Sequence, residues 1–285
     1  MQDAIVPIGT RLYVSAVSLW PHSASFKGAV GLNRLAQLLE WAGFAGLQGL
    51  PLRGYAQAVE GFTDLRCVSL EGVWTEGKVG DFAEVWQGFL DGRQNGEPSF
   101  VDYLLFGTRQ MSEAGSLFLN EQFPDALKIT HRWKPNTFDG ILEVVEGTGF
   151  DFDSIVKGCS GTLPDMGLCW DTHHSVRLFG HKWQRAFFKL LHKIQIVHLH
   201  PTWDQVLKIL LGLECPKFRR QVECVLKYLP SDCPIVLECI PLALPLDLQI
   251  WALAQIREYL ERIAYSLRKN VPIRRTYLQP SGVSG

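Results

Sequence analysis

No surplus of either charge runs through this sequence: 28 lysines and arginines stand against 29 aspartates and glutamates, a formal net charge of −1. Without an overall basic field, a nucleic acid or an anionic membrane surface is disfavoured as partner. No uninterrupted apolar run approaches the roughly 20 residues that a membrane-spanning helix needs, which excludes a bilayer segment of that kind. The opening Met1-Gln2-Asp3-Ala4-Ile5-Val6-Pro7 has neither a basic leader nor a long apolar core, so no signal peptide is expected. The seven cysteines include no C-x-x-C pair, and an odd, scattered set predicts a reducing, cytoplasmic compartment rather than a disulfide framework. No G-x-G-x-x-G follows the first strand-like run, which weakens a dinucleotide-binding reading. Internal repeats, low-complexity tracts and a dividing linker are also lacking, so residues 1–285 are read as one domain.

What is present is material for a large core, with 47% hydrophobic and 20% charged residues. Strand-like and helix-like runs alternate along the chain. Residues 11–20 are β-rich, residues 31–43 place Leu32, Leu35, Ala36 and Leu39 at helical spacing, and Ala45 to Leu50 is apolar again. Such a β-α-β unit joins parallel strands. Further strand-like runs lie at 65–71, 100–106, 141–145, 166–171, 194–199 and 234–239. Helical material is expected at 53–61, 81–90 (with Asp81 as cap), 113–131, 151–158, 181–192, 203–211, 217–229 and 247–267. In the last of these, Trp251, Ile256, Leu260, Ile263 and Ala264 are read as one face. Eight βα units in a chain of this size predict an α/β fold, a (β/α)8 TIM barrel over about residues 11–267, with 268–285 as a tail.

Polar chemistry gathers where the strand-like runs end. Met166-Gly167-Leu168-Cys169-Trp170-Asp171 climbs through apolar residues to an acid and breaks into Thr172-His173-His174. Period-two alternation puts Gly167, Cys169 and Asp171 on one face. Glu143, His198 and Glu238 end three further runs, and ligand sites of α/β folds lie at the carboxyl ends of the strands. Each residue has a plainer reading by itself: a helix cap for Glu143, an ion-paired acid for Glu238, a core histidine for His198. Four consecutive strands ending in ligand-capable side chains favour convergence. Three carboxylates at close range repel one another, and a divalent cation relieves that conflict. Carboxylates with one imidazole suit Mn²⁺, Mg²⁺, Co²⁺ or Zn²⁺ without choosing among them. His200 shares the inward parity of His198 and could exchange roles with it. His22 follows the first strand, while His181 and His192 read as surface residues on a helix.

These segments carry a resemblance. Cys169-Trp170-Asp171-Thr172-His173-His174 resembles the Asp-Thr-x-His segment of the xylose-isomerase-like TIM barrels, the superfamily of sugar isomerases, sugar epimerases and apurinic-site endonucleases. Ile196-Val197-His198-Leu199 and Ile235-Val236-Leu237-Glu238 are similar to its next and last strands, and Glu143 with Gly147 and Gly149 to its Glu-x-x-x-Gly-x-Gly stretch. The resemblance implies one divalent metal held by Glu143, Asp171, His198 and Glu238. It further implies that Glu143 and Glu238 act as acid and base on a sugar or sugar phosphate, by proton transfer beside a carbonyl. His174 would then bind a substrate hydroxyl or orient a ligand, and Trp20 would wall the pocket. Dimers are common in that family, so a homo-oligomer fits the resemblance. The extra histidines of the endonuclease members are missing: Leu50-Pro51-Leu52-Arg53 ends the second strand, and His200-Pro201-Thr202-Trp203-Asp204 follows the seventh. A metal-dependent phosphodiester hydrolase acting on abasic DNA is therefore the less favoured enzyme, and a degenerate non-catalytic barrel is the remaining alternative.

Overall fold

Short β-strands, all parallel, are hydrogen-bonded side by side in chain order, and the first also pairs with the last. The computed structural model describes residues 8–15, 18, 37–51, 68–73, 103–107, 127–130, 141–148, 151, 152, 154, 167–238 and 244–269. Its strands are β1 (Leu12–Ser15), β2 (Gly46–Pro51), β3 (Val68–Val73), β4 (Tyr103–Gly107), β5 (Leu127–Thr130), β6 (Ile141–Glu143), β7 (Gly167–Asp171), β8 (Ile194–Leu199) and β9 (Ile235–Leu237). All eight expected strands occur, within a few residues of their expected bounds. The order holds nine members, however, so eight-fold regularity is not what is observed. The additional strand, β5, falls where the sequence reads as a helix over 113–131. Leu127-Lys128-Ile129-Thr130 alternates for only two periods, too few to announce a strand, but pairing on both sides with β4 and β6 supplies what local pattern does not.

The helices are α1 (Thr172–Phe179), α2 (Trp183–Leu190), α3 (Trp203–Leu210), α4 (Pro216–Tyr228) and α5 (Leu246–Lys269), with residues 37–41 also helical ahead of β2. α1 begins at Thr172, where the sequence reading places no helix. The strand passes into the helix without a linker, because the Asp171 side chain takes the N-cap position. Gly180 ends α1 at φ 56°, a left-handed conformation that favours glycine, and its N–H returns to the Val176 carbonyl. α5 includes Arg268 and Lys269, which the sequence reading assigns to the tail. Trp251 does not share the buried face of α5: it is 49% exposed, while Ile256, Leu260, Ile263 and Ala264 are buried. Five residues separate Trp251 from Ile256, which at 3.6 per turn is more than a quarter-turn off the stripe. The expected helices at 53–61 and 81–90, Trp20, His22 and residues 270–285 lie outside the described residues.

Alternation along the strands divides the core into two layers. Leu142, Leu168, Trp170, Val197, Leu199, Ile235 and Leu237 point outward and meet the helices. Tyr13, Ile141, Cys169, Ile196 and Val236 point inward and pack together. Gly167 is inward too, and a Cβ there would lie 2.5 Å from the Gln195 side chain, so the missing side chain makes room for Gln195. The seam between β1 and β9 is fastened at both ends. Near the amino ends, the buried Arg11 Nη1 donates to the Pro230 carbonyl at 2.7 Å. Near the carboxyl ends, Ser18 Oγ donates to the Leu237 carbonyl at 3.0 Å, and Gln249 Nε2 of α5 donates to the Ser18 carbonyl. Among the described residues no helix is long and apolar enough to cross a membrane. Cys169, Cys215, Cys224 and Cys233 are buried free thiols.

Among the described residues Trp170 is the largest fully buried side chain, stacked on Phe179 of α1 (6.2 Å between centroids, 7° between planes) and edge-on to Phe187 of α2 (5.3 Å, 74°). Removing it opens a cavity under both helices. Trp170→Ala is expected to lower the unfolding free energy by about 3–5 kcal/mol, and Trp251→Ala by less than about 0.5 kcal/mol. Denaturant titration of the two variants checks this; equal losses would contradict the layer assignment.

Candidate metal centre

Four strands deliver the polar residues to one place. Glu143 ends β6, Asp171 ends β7, His198 is the penultimate residue of β8, and Glu238 follows β9 with its N–H bonded to the Leu199 carbonyl. Parallel register sets their heights. Asp171 pairs with His198 and His198 with Val236, whereas Glu143 pairs with Cys169, two residues deeper on β7. All four converge, but not at one level.

The imidazole of His198 is the hub. Its Nδ1 lies 3.0 Å from Glu143 Oε1 and 3.7 Å from Glu238 Oε1. The other oxygen of Glu238 is 3.8 Å from His200 Nδ1, which in turn is 3.5 Å from Asp171 Oδ2. Asp171 is wholly buried and divides its carboxylate between two tasks. Oδ1 accepts the His174 backbone N–H at 2.6 Å, and Oδ2 has no hydrogen-bond partner. His198 Nε2 and His200 Nδ1 are also buried without a hydrogen bond. Sealed polar atoms of this kind are costly unless something else satisfies them. Among the described residues, donor atoms within 4.8 Å of one another occur in three overlapping groups: Asp171, His198 and Glu238; Glu143, Cys169 and His198; and Asp171, His174 and His200. Their buried carboxylate and imidazole donors fit a divalent cation of the borderline or hard kind.

Electrostatics follow from this crowding. Burial raises the Glu238 carboxyl above the usual range, Glu143 and Asp171 push it further, and His198 and His200 offset part of the rise. For His198, burial disfavours the imidazolium, but the Glu238 and Glu143 carboxylates outweigh it and hold the group well above its ordinary value. His200 is likewise raised: burial opposes, and Asp171 and Glu238 prevail. The Cys169 thiol is pushed up to about 12 by burial, so it stays protonated at neutral pH.

Three residues that brace the centre, Thr172, Glu146 and Gln221, carry no role in the sequence reading. Thr172 welds the ends of β7 and β8: its hydroxyl donates to the His198 carbonyl at 3.2 Å and accepts the His200 N–H at 2.8 Å. Its carbonyl in turn accepts Gln221 Nε2 of α4 at 2.6 Å. Glu146 sits in the turn after β6, where Gly147 has φ 77°, and it reaches His174 Nδ1 at 2.6 Å and Arg177 Nε at 2.9 Å. His174 therefore takes its orientation from Glu146. Only the inward parity of Cys169 and His200 was visible in the sequence; nothing there announces Glu146 or Gln221. Trp20, expected to wall the pocket, lies outside the described residues.

Two predictions arise here. Thr172→Val keeps the shape but strands the His200 N–H, and is expected to cost about 1–3 kcal/mol in denaturant unfolding. In metal-free protein, Glu238 and His198 both bind protons more tightly folded than unfolded. Their stabilising contribution is complete below the unfolded values of about 4.3 and about 6.5, and is lost as pH rises through the raised folded values. Chelated protein is therefore expected to melt at lower temperature at pH 8.5 than at pH 6, with Glu238→Gln flattening the trend; a melting temperature that rises over this interval would contradict it.

No protein-family model matches this sequence, and no curated protein matches it either, so the side chains themselves must carry any conclusion about chemistry.

Proposed function

We propose that this chain is a divalent-metal-dependent isomerase or epimerase, acting by proton transfer beside the carbonyl of a small polyhydroxylated substrate, a sugar or sugar phosphate. One observation carries the reading. Asp171, His198 and Glu238, from three successive parallel strands, present donor atoms within 4.8 Å of one another, with Asp171 Oδ2 and His198 Nε2 buried and lacking hydrogen bonds. The nine-strand order is read as a TIM barrel carrying β5 as an additional member, since every pairing is parallel and β1 meets β9. Four buried free cysteines support a reducing, cytoplasmic setting.

Asp171, His198, Glu238 and Glu143 would hold the ion, which when bound supplies Lewis acidity toward adjacent substrate oxygens. Glu238 is the more open of the two glutamates, its side chain 18% exposed against 5% for Glu143. That more open position suits it to taking a proton from carbon. Glu143, sealed below and bonded to His198 Nδ1, takes the opposite role and is held in place by that bond. His174, turned by Glu146, is left to meet a substrate hydroxyl.

A second reading has one observation in its favour: the Asp171, His174 and His200 donors form a further group beside the first, as a multinuclear phosphodiester hydrolase would require. Metal content per chain by mass spectrometry separates the two. About one equivalent in the parent and none in Asp171→Ala/His198→Ala supports the proposal, and Glu238→Gln is then expected to keep the metal while losing at least about 100-fold in turnover of ketoses or their phosphates. Two or more equivalents with cleavage of an abasic duplex favours the hydrolase. No metal after dialysis against Mn²⁺, Co²⁺ and Zn²⁺ would overturn both.

A further inference from the structure

Behind His200, away from Asp171, lies a cavity of about 510 Å³ between α1, α3 and α4. Thr172 and Gln221 form its buried floor, Arg177 and His181 stand on the α1 side, and Lys217 and Arg220 project from the first turns of α4. Among the described residues that line it there is no carboxylate. Arg177 shares its charge with Glu146 at 2.9 Å. Lys217 and Arg220 make no ion pair with any described residue, although their neighbour Arg219 makes two, with Glu223 and Glu214. Two cations with no ion pair among the described residues line one concave space, with a third shared with Glu146, and give that space a positive field. Gly180 adds to the concavity: a Cβ there would meet nothing within 4 Å.

We infer that this cavity binds the phosphoryl group of a phosphate ester. The double negative charge of a phosphate monoester matches Lys217 and Arg220 together, whereas a carboxylate would leave one of them unanswered. Trp183, partly buried in the wall, offers an apolar surface for the carbon attached to the phosphate. His200 belongs to both sites, its Nδ1 at 3.5 Å from Asp171 Oδ2 and its ring lining the cavity. A ligand anchored by its phosphate would have to reach the metal centre past His200, the residue common to both. The inference rests on the proposed function for that route and selects phosphorylated substrates over free sugars; the anion site itself is independent of the metal.

The test uses the full chain stripped of metal by chelator, so that phosphate cannot bind through a cation. Equilibrium dialysis against radiolabelled inorganic phosphate is expected to give about one equivalent for the parent and for Glu238→Gln, with affinity at least about tenfold weaker in Lys217→Ala/Arg220→Ala. Both α4 residues are exposed, and thermal melting confirms that the variant is folded; Arg220→Gln alone, expected to weaken binding about threefold, serves if the double variant is not. No saturable binding by the parent, or unchanged affinity in the folded α4 variants, would overturn the inference. Metal uptake on the same preparations keeps the two proposals apart. Phosphate binding without metal uptake removes the metal chemistry and leaves this site, and metal uptake without phosphate binding does the reverse.

Discussion

Packing several carboxylates against one imidazole, out of reach of water, is the constraint on which the rest of this structure turns. Asp171 has no exposed surface, and Glu143 and His198 have almost none. Charges so placed repel or attract far more strongly than on a surface, and each also forfeits its hydration. His198 between Glu143 and Glu238 answers part of that cost, and His200 between Asp171 and Glu238 answers another part. The α1 amino terminus answers a third, since Asp171 Oδ1 accepts its free N–H and lies at its positive end. What is left over is Asp171 Oδ2, His198 Nε2 and His200 Nδ1, buried atoms that accept or donate no hydrogen bond among the described residues. A core of apolar residues would be cheaper to fold, so the arrangement makes sense as one selected for what it can hold.

The same strand ends explain why the four residues form overlapping groups instead of a single ring. In a closed set of tilted strands the carboxyl termini lie at staggered heights. Glu143 comes level with Cys169, and Asp171 with His198. His198 is long enough to bridge the two levels, which is why it belongs to the upper trio with Asp171 and Glu238 and to the lower one with Glu143 and Cys169. Cys169, a thiol kept protonated by burial, fills the inward position where a fourth carboxylate would have multiplied the repulsion.

Much of this was legible in the sequence from 140 to 240, and for a physical reason. Strands buried on both faces are nearly all apolar, so an acid or histidine at the inward parity stands out, as Asp171, His198 and Glu238 do. Earlier strands gave weaker signals. β5 is four residues long and owes its existence to its neighbours, and pairing partners cannot be read from Leu127-Lys128-Ile129-Thr130. α1 was missed because Asp-Thr-His-His has the composition of a loop, while the decisive fact, one carboxylate oxygen capping the helix, is a matter of geometry. Trp251 misled because a tryptophan in an amphipathic stretch is counted as core; its angular position around α5 puts it in solvent. The residues that brace the site, Thr172, Glu146 and Gln221, act through single hydrogen bonds across 26, 28 and 49 positions of chain, and no local pattern encodes such distances.

That bracing also decides how the centre and the cationic cavity relate. Thr172 fixes His200 by its backbone, and Gln221 fixes Thr172 from α4, the helix that carries Lys217 and Arg220. The β7–α1 junction, the end of β8 and the amino-terminal half of α4 are thus tied by three hydrogen bonds into one unit. The absence of a loop between Asp171 and Thr172 is what makes this possible, since a flexible linker there would free Thr172 from both strands. A bond to an anion at Lys217 and Arg220 would therefore load the same hydrogen-bonded frame that holds His200 against Asp171 and Glu238. Position at the cavity and position at the centre are fixed by common residues, so a ligand long enough to touch both would meet groups already set at a constant separation, with little ordering left for it to pay.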